Sequence, residues 1–393
     1  MIRYFKSYGV VVMQNEPIRI LQILGIVAGG GVESVVMNYY EHIDRRKVQF
    51  DFVVHNDNTI DITDKVKSMG GKVYKVTPYY KNPIAFMRDI YQIIKHNNYQ
   101  IIHSNMNTLS AFSLFAAYMA DAPIRILHNH SISVPGEWKR NLMKYIFRPF
   151  AKLFANQYWA CGKLAGIWMY GENLVNTGKV QIINNAIDLA KFEFNEDKRL
   201  FFRQQFNINH NDFVIGHVGR FVYVKNHEFL IDVFDKFHKV HNNSKLLLIG
   251  DGPLKKDIER KVNSLGISDS VIFGGMRNNV SDLYSVMDVL LLPSFSEGFP
   301  VVGLEAQANG LPIIVSDAVT KELFITNLIS SEELSSPVEK WLMDLETIYY
   351  KKDEPRDNTR QTMDDAGFDI QNESVKLVNM YKHLLEEYRD DYK

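Results

Sequence analysis

A chain of 393 residues, 46% hydrophobic and 23% charged, is long enough for two cores and has a globular composition, which excludes disordered and fibrous classes. Its 45 basic and 46 acidic residues leave a formal charge of −1, which argues against nucleic-acid binding through the surface as a whole. The single cysteine, Cys161, excludes an intramolecular disulfide framework and a cysteine-rich metal site, and suits a reducing cytosol.

The first 16 residues carry one short apolar run, 10–13, without the length of a signal h-region or a small-residue cleavage site. They read as an extension before the first strand, or as a start placed too early. No run is long enough to span a membrane; stretches such as 289–293 are strand-length and end at turn residues. From residue 18, strands are predicted at 19–24, 50–54, 72–76, 101–103, 124–127, 157–160 and 180–183, with helical patterns such as 33–41, 84–95 and 109–119 between them. Several of these strands are apolar at nearly every position, the mark of strands covered on both faces. The mostly polar stretch 185–212 has no clear strand and is taken as the inter-domain connection. The alternation then restarts, with strands predicted at 213–218, 245–249, 271–273, 289–292 and 312–315.

Alternating strands and helices imply parallel sheets built from βαβ units. The expected fold class is therefore α/β, with two Rossmann-like doubly wound domains, 17–190 and 211–365. Ligands of such sheets bind at the carboxyl ends of the strands, here in a cleft between the domains. The charged tail beyond about 332 is mostly helical. Its last helix, about 375–388 within the segment 366–393, can pack back across either domain, and a return to the first is the expectation.

Three constellations carry chemistry. Gly29, Gly30 and Gly31, followed by Val32, Glu33 and Ser34, precede a helix; consecutive glycines allow a tight turn and let a phosphate or sugar reach amides at a helix start. A plain strand-to-helix turn explains them equally well. Gly219-Arg220-Phe221-Val222-Tyr223-Val224-Lys225 sets an Arg fork and a mobile Lys beyond a strand, where both can converge on a diphosphate, although two solvated loop cations fit the same spacing. The third runs from the apolar strand through Ser294, Glu297, Gly298, Phe299 and Pro300 to a helix starting near Val301 and carrying Glu305. Amides at that helix start can receive a phosphate, Glu305 is placed for the two hydroxyls of a ribose, and Glu297 reaches toward the cleft. Acidic residues also favour helix starts as macrodipole caps, which leaves Gly298, Phe299 and Pro300 unexplained.

The segment SFSEGFPVVGLEAQANGLPIIVSD resembles the signature of glycosyltransferase family 4, retaining enzymes of the GT-B fold. GRFVYVKN, IGDGPLKKDIE and GGGVESVVMNYY are similar to that family's diphosphate site, its following strand-loop-helix and its N-terminal glycine loop. The resemblance is nearest to bacterial transferases that build capsular or exopolysaccharide units. It implies that Glu305 holds the donor ribose and Glu297 the donor sugar. Arg220 and Lys225, with Gly219, would neutralise the diphosphate, and Gly30 and Gly31 would lie beside it. Gly298, Phe299 and Pro300 would line the donor site. Asp251, Gly252 and Arg277 fall where the family lines its nucleobase pocket. The family's strand-end histidine corresponds to His128 or His130, of which His130 is preferred; His103 is a further candidate. The resemblance also implies that no metal and no cofactor are needed beyond the nucleotide-sugar donor, expected to be a UDP-sugar and used as substrate.

The stretch 138–154 concentrates Lys139, Arg140, Lys144, Arg148 and Lys152 among aromatic residues and reads as an interfacial membrane surface suited to a lipid-linked saccharide acceptor. An ordinary helix with one solvated basic face fits as well, and Pro149 interrupts the helical pattern. The expected location is the cytoplasm, with peripheral attachment to the inner face of the plasma membrane. A nicotinamide oxidoreductase lacks support, since no GxGxxG is present. A non-catalytic transferase-like partner subunit is the remaining alternative, against which stand intact Glu297, Glu305, Arg220 and Lys225.

Overall fold

The computed structural model describes residues 16–28, 30–133 and 138–391, so Gly29 and most of the N-terminal extension lie outside the described residues. Seven strands form the first sheet: β1 (Ile18–Gly25), β2 (Val48–His55), β3 (Val73–Val76), β4 (Ile101–Ser104), β5 (Ile124–Asn129), β6 (Gln157–Ala160) and β7 (Val180–Ile182). Six form the second: β8 (Phe213–Val218), β9 (Ser244–Ile249), β10 (Val271–Gly275), β11 (Val289–Leu292), β12 (Ile313–Ser316) and β13 (Ile329–Glu332). The strand orders are β3-β2-β1-β4-β5-β6-β7 and β10-β9-β8-β11-β12-β13. All pairings are parallel. The order reverses between β1 and β4 and between β8 and β11, and the loops leaving those four strands are the natural ligand positions of doubly wound sheets.

Burial on both faces accounts for the apolar strands: every residue of β2 and of β8 is buried. The polar members of such strands must be paired. Asp51 of β2 accepts hydrogen bonds from Arg19 Nε (2.7 Å), Tyr99 Oη (2.6 Å) and the Lys72 amide (2.7 Å).

Strand β13 was not anticipated. Its sequence, ISSE, has one buried apolar residue, because an edge strand has little surface to cover. The connection 185–212 contains two short helices, Leu189–Phe192 and Glu196–Gln205. The second is tied to the second sheet by Arg199 and Arg203, whose guanidiniums hold Asp288 at 2.6 and 2.7 Å. Helix Val338–Tyr349 inserts Trp341 and Leu345 into the core of the second sheet. Helix Ile370–Asp391 returns to the first, where Ile370, Leu377, Val378, Tyr381 and Leu385 share one cluster with Tyr40, Phe50 and Phe52.

The helix Trp138–Phe154 runs through Pro149 without interruption, contrary to the sequence expectation. Proline removes one backbone bond, but Ala151 is buried and Phe147 and Phe154 pack on Phe112 and Phe115, and this packing holds the turn. Lys144 is also not part of a solvated basic face. It is buried and donates to the Ile132 carbonyl beneath the helix. The side chain of Arg140 lies outside the described residues.

Candidate active site

The loop leaving β8 is shaped by close backbone packing. Gly219 N donates to Ile249 O (2.9 Å) and Phe221 N to Asp251 O (3.0 Å), joining the loops after β8 and β9. A Cβ at Gly250, whose φ is +135°, would meet the Gly219 carbonyl at 2.1 Å, and one at Gly252 would meet the Phe221 carbonyl at 2.5 Å. Only glycine lets these two loops touch. Asp251 is exposed and accepts from the Gly252 amide (2.7 Å).

Two cations leave this loop in different states. Arg220 is exposed, with no hydrogen bond or ion pair from its side chain among the described residues. Lys225 is half-buried, and its Nζ donates to Glu297 Oε1 at 2.6 Å. Phe295 secures the opposite strand of this contact: its amide donates to Val224 O (2.8 Å) and its ring stacks on Tyr223.

Beyond Glu297, buried Pro300 serves as N-cap of helix Val301–Ala308, and Phe299 stacks on Phe368. Glu305 lies on the second turn. Its Oε2 accepts from Tyr284 Oη (2.5 Å), and burial raises its carboxyl above the ordinary range. Arg277 is exposed and turned onto Phe206, 5.5 Å from the ring, while its Nε donates to Gly274 O (2.7 Å).

The first domain supplies the facing wall. Gly30 is extended (φ −93°) and Gly31 opens helix Gly31–His42, so neither residue needs left-handed backbone. The turn is held instead by Glu33, whose carboxylate accepts from the Ala28 and Gly30 amides at 2.8 Å each. What the glycines provide is room, since a Cβ on either meets nothing within 4 Å. His130 follows β5; its amide donates to Asn107 Oδ1 (2.6 Å) and its Nε2 bonds Asn105 Oδ1 (2.9 Å). Burial pushes its pKa down to about 3, so the ring is neutral. His128 is buried behind it, and His103 behind His128.

The walls meet at Gly298, where a Cβ would lie 2.7 Å from the His130 carbonyl. Asn185 Nδ2 donates to Phe299 O (3.3 Å), and the Glu322 carboxylate of the second domain accepts the first two amides of helix Lys163–Tyr170, each at 2.7 Å. The structure therefore gathers Glu297, Gly298, Lys225 and His130 at one junction, with Glu305 farther along the helix. Gly30, Gly31, Asp251 and Arg277 stand at the surrounding loops with no contact to that group. Sequence reasoning missed Tyr284, Asn185 and Glu322. No local spacing signals them, because each meets its partner only through the fold.

Two doubly wound parallel sheets, joined through loops at the carboxyl ends of their strands and bringing acidic and basic side chains to that junction, define a glycosyltransferase of the GT-B fold. The chain belongs to the family 4 glycosyltransferases. Residues 29–191 match the model described as Glycosyltransferase Family 4, and residues 198–327 match Glycosyl transferases group 1. Over 374 residues it is 31% identical to EpsF of Bacillus subtilis (strain 168), a protein named as a glycosyltransferase, covering 94% of this chain and 97% of EpsF. It is 26% identical over 316 residues to the Escherichia coli UDP-Gal:alpha-D-GlcNAc-diphosphoundecaprenol alpha-1,3-galactosyltransferase, covering 76% and 79% of the two chains. The fold matches that of Anabaena Alr3699/HepE, solved in complex with UDP-glucose, with TM-score 0.74 at 18% identity over 93% of this chain and 99% of that one.

Proposed function

We propose that this glycosyltransferase is retaining and metal-independent, and that it moves a hexose or N-acetylhexosamine from a UDP-sugar to a lipid-linked glycan in surface polysaccharide synthesis. The observation that carries the donor assignment is the junction of Lys225, Glu297 and Gly298 with His130, with Glu305 on the adjoining helix. UDP is favoured by the galactosyltransferase relative and by the HepE complex, and a diphosphoundecaprenol-linked acceptor by that same relative.

In this reading Glu305 accepts the ribose hydroxyls and Glu297 a hydroxyl of the donor sugar. The bond between the anomeric carbon and the diphosphate breaks, its electrons leave with the diphosphate, and the sugar acquires oxocarbenium character. Lys225, Arg220 and the amides opening helix Val301–Ala308 meet charge that is greatest in the transition state, so they bind it better than the ground state. The acceptor hydroxyl attacks the face the diphosphate leaves and gives its proton to a leaving phosphate oxygen, which retains the anomeric configuration.

The acceptor side is assigned to helix Trp138–Phe154. Trp138, Leu142, Tyr145, Ile146, Phe150 and Leu153 fall on one side of the helix and are all exposed, up to 70% at Leu153, with Lys139 among them. An outward apolar stripe beside cations suits the headgroup region of a membrane. No helix among the described residues is long and apolar enough to cross one.

The test is calorimetric titration with UDP, followed by transfer from UDP-glucose, UDP-galactose, UDP-GlcNAc and UDP-GalNAc to an undecaprenyl-diphosphate-linked sugar, with and without EDTA. Binding, EDTA-resistant transfer and an α-linked product are expected. A chain that binds no nucleotide would be a non-catalytic subunit, and loss of transfer in EDTA would overturn metal independence.

A further inference from the structure

Five side chains behind His130 form one hydrogen-bond chain with it, and the orientation of the Gln22 and Asn105 amides sets its direction. Gln22, buried in β1, donates from Nε2 to Tyr381 Oη (3.0 Å), and the one remaining partner for the Tyr381 hydroxyl proton among these side chains is His103 Nδ1 (2.6 Å). His103 then carries its own proton on Nε2 and donates to His128 Nδ1 (3.0 Å). In the other direction, Gln22 Oε1 accepts from Asn105 Nδ2 (2.9 Å), which leaves Asn105 Oδ1 to accept from His130 Nε2 (2.9 Å). The two ends close on each other, with the rings of His128 and His130 3.9 Å apart. The last donor, His128 Nε2–H, is buried with no hydrogen-bond partner.

The directions hold because all three rings are neutral: burial drives the pKa of His103 and His128 well below 6.5 and that of His130 to about 3. A neutral imidazole has one donor and one acceptor nitrogen. With Nε2–H committed to Asn105, His130 Nδ1 is a bare lone pair, and no side chain among the described residues bonds it. A buried glutamine in a central strand, an asparagine and a tyrosine from the C-terminal helix thus all serve one proton position.

We infer that Tyr381, on helix Ile370–Asp391, is a positioning residue for His130: through Gln22 and Asn105 it fixes the Nε2–H tautomer and leaves Nδ1 as an acceptor for a hydroxyl of the donor sugar. The sugar contact rests on the function proposed above; the tautomer does not. Without the tyrosine hydroxyl, the remaining acceptor for Gln22 Nε2 is His103 Nδ1 at 3.4 Å, too long to hold the amide's orientation. A flipped Gln22 presents Nε2 to Asn105, which must then turn its Oδ1 to Gln22 and its Nδ2 to His130, so that His130 Nε2 becomes the acceptor and the proton moves to Nδ1.

Long-range 1H–15N correlation on the full chain labelled at histidine nitrogens reads the tautomer directly, with the His130 signals assigned by their loss in His130→Asn. Wild-type protein is expected to show His130 as a single Nε2–H tautomer, and Tyr381→Phe a mixture. In UDP-glucose hydrolysis, Tyr381→Phe is expected to lower kcat roughly tenfold, the size of one lost positioning bond, with the Kd for UDP changed less than about twofold. A merely structural tyrosine would lower the melting temperature and leave the tautomer alone. Asn105→Ala, at the other end of the chain, gives the same reading should the tyrosine variant not fold. An Nδ1-protonated His130 in the wild type, or one unchanged tautomer in both variants, overturns the inference. Absence of hydrolysis by the wild type bears on the transferase reading only, since the spectrum needs no donor.

Discussion

Lys225 and Glu297 form an ion pair of 2.6 Å across the loops that leave β8 and β11, both half-buried. Each neutralises the other, and in the proposed reading an entering diphosphate takes over the lysine. Lys225→Ala therefore removes a cation and also leaves a carboxylate unpaired beside the incoming anion. Donor hydrolysis should fall by about 10²–10³ in kcat, the size of one lost transition-state donor. UDP affinity should fall as well, and Lys225→Ala with Glu297→Gln should bind UDP more tightly than Lys225→Ala alone while remaining slow. Equal UDP affinities in the single and double variants would count against the pairing argument.

Glu305 is the second acidic group, hydrogen-bonded to Tyr284. If it takes the ribose hydroxyls, Glu305→Ala should weaken UDP binding by roughly 10–100-fold, two charge-assisted hydrogen bonds in a partly dry site. The wild type should also prefer UDP over 2′-deoxy-UDP and the variant should not. Calorimetry with both ligands decides it; a preference that survives the substitution removes Glu305 from the ribose.

At Gly298 a loop of the second domain lies against the His130 carbonyl of the first. Gly298→Ala places a methyl 2.7 Å from the His130 carbonyl, so the loop and the strand end must separate by several tenths of an ångström. Turnover should drop by about one to two orders of magnitude, because misplacement on that scale degrades a reacting geometry. UDP affinity, which depends on the second domain, should stay within about threefold. A variant with full turnover would show that the two walls need not approach so closely.

Six buried histidines among the described residues, His55 with the five that follow, give stability a pH dependence of definite sign. Burial depresses His103 and His128 well below 6.5, His130 to about 3, His217 to about 4 and His227 to about 2. Between those values and 6.5 the unfolded chain binds protons that the folded chain does not. The stability they contribute is therefore complete above pH 6.5 and is lost as pH falls below it, at up to about 1.4 kcal/mol per pH unit for each histidine. The melting temperature should decline from pH 6.5 to 5, a window in which ordinary carboxylates remain ionised. A flat curve there would mean that the histidines are protonated in the fold.

Helix Trp138–Phe154 should bring the protein to anionic vesicles. Co-sedimentation with phosphatidylglycerol vesicles is expected for the wild type, weaker in high salt, and abolished by Leu142→Glu with Leu153→Glu. Both leucines are exposed, so the melting temperature should hardly move. Equal sedimentation of variant and wild type would leave this face without a membrane role.

Much of this molecule is written in local sequence. Continuous apolar runs such as VLLL and FVIGHV can only be strands covered on both sides, and their alternation with helical patterns leads to two parallel sheets. The Glu297-to-Glu305 segment was legible because turn, helix start and acidic groups lie within one short stretch. Strand β13 was not, since an edge strand of polar residues has no periodicity to read. Pro149 misled because propensity registers the lost hydrogen bond and not the packing of Phe147, Ala151 and Phe154 that outweighs it.

The glycines at 30 and 31, the cations at 220 and 225 and the histidines at 128 and 130 were visible as residue types, but their states were not. Whether Lys225 meets a phosphate or Glu297, or which nitrogen of His130 carries the proton, depends on partners up to 359 positions away, as with Gln22 and Tyr381. Hydrogen bonds fall off steeply with distance and angle, so only folded coordinates select among the possible partners. Sequence by itself determined the two sheets and the residue types at the ends of their strands. The tertiary structure decided which of those residues are joined, as Lys225 is to Glu297 and His130 to Asn105.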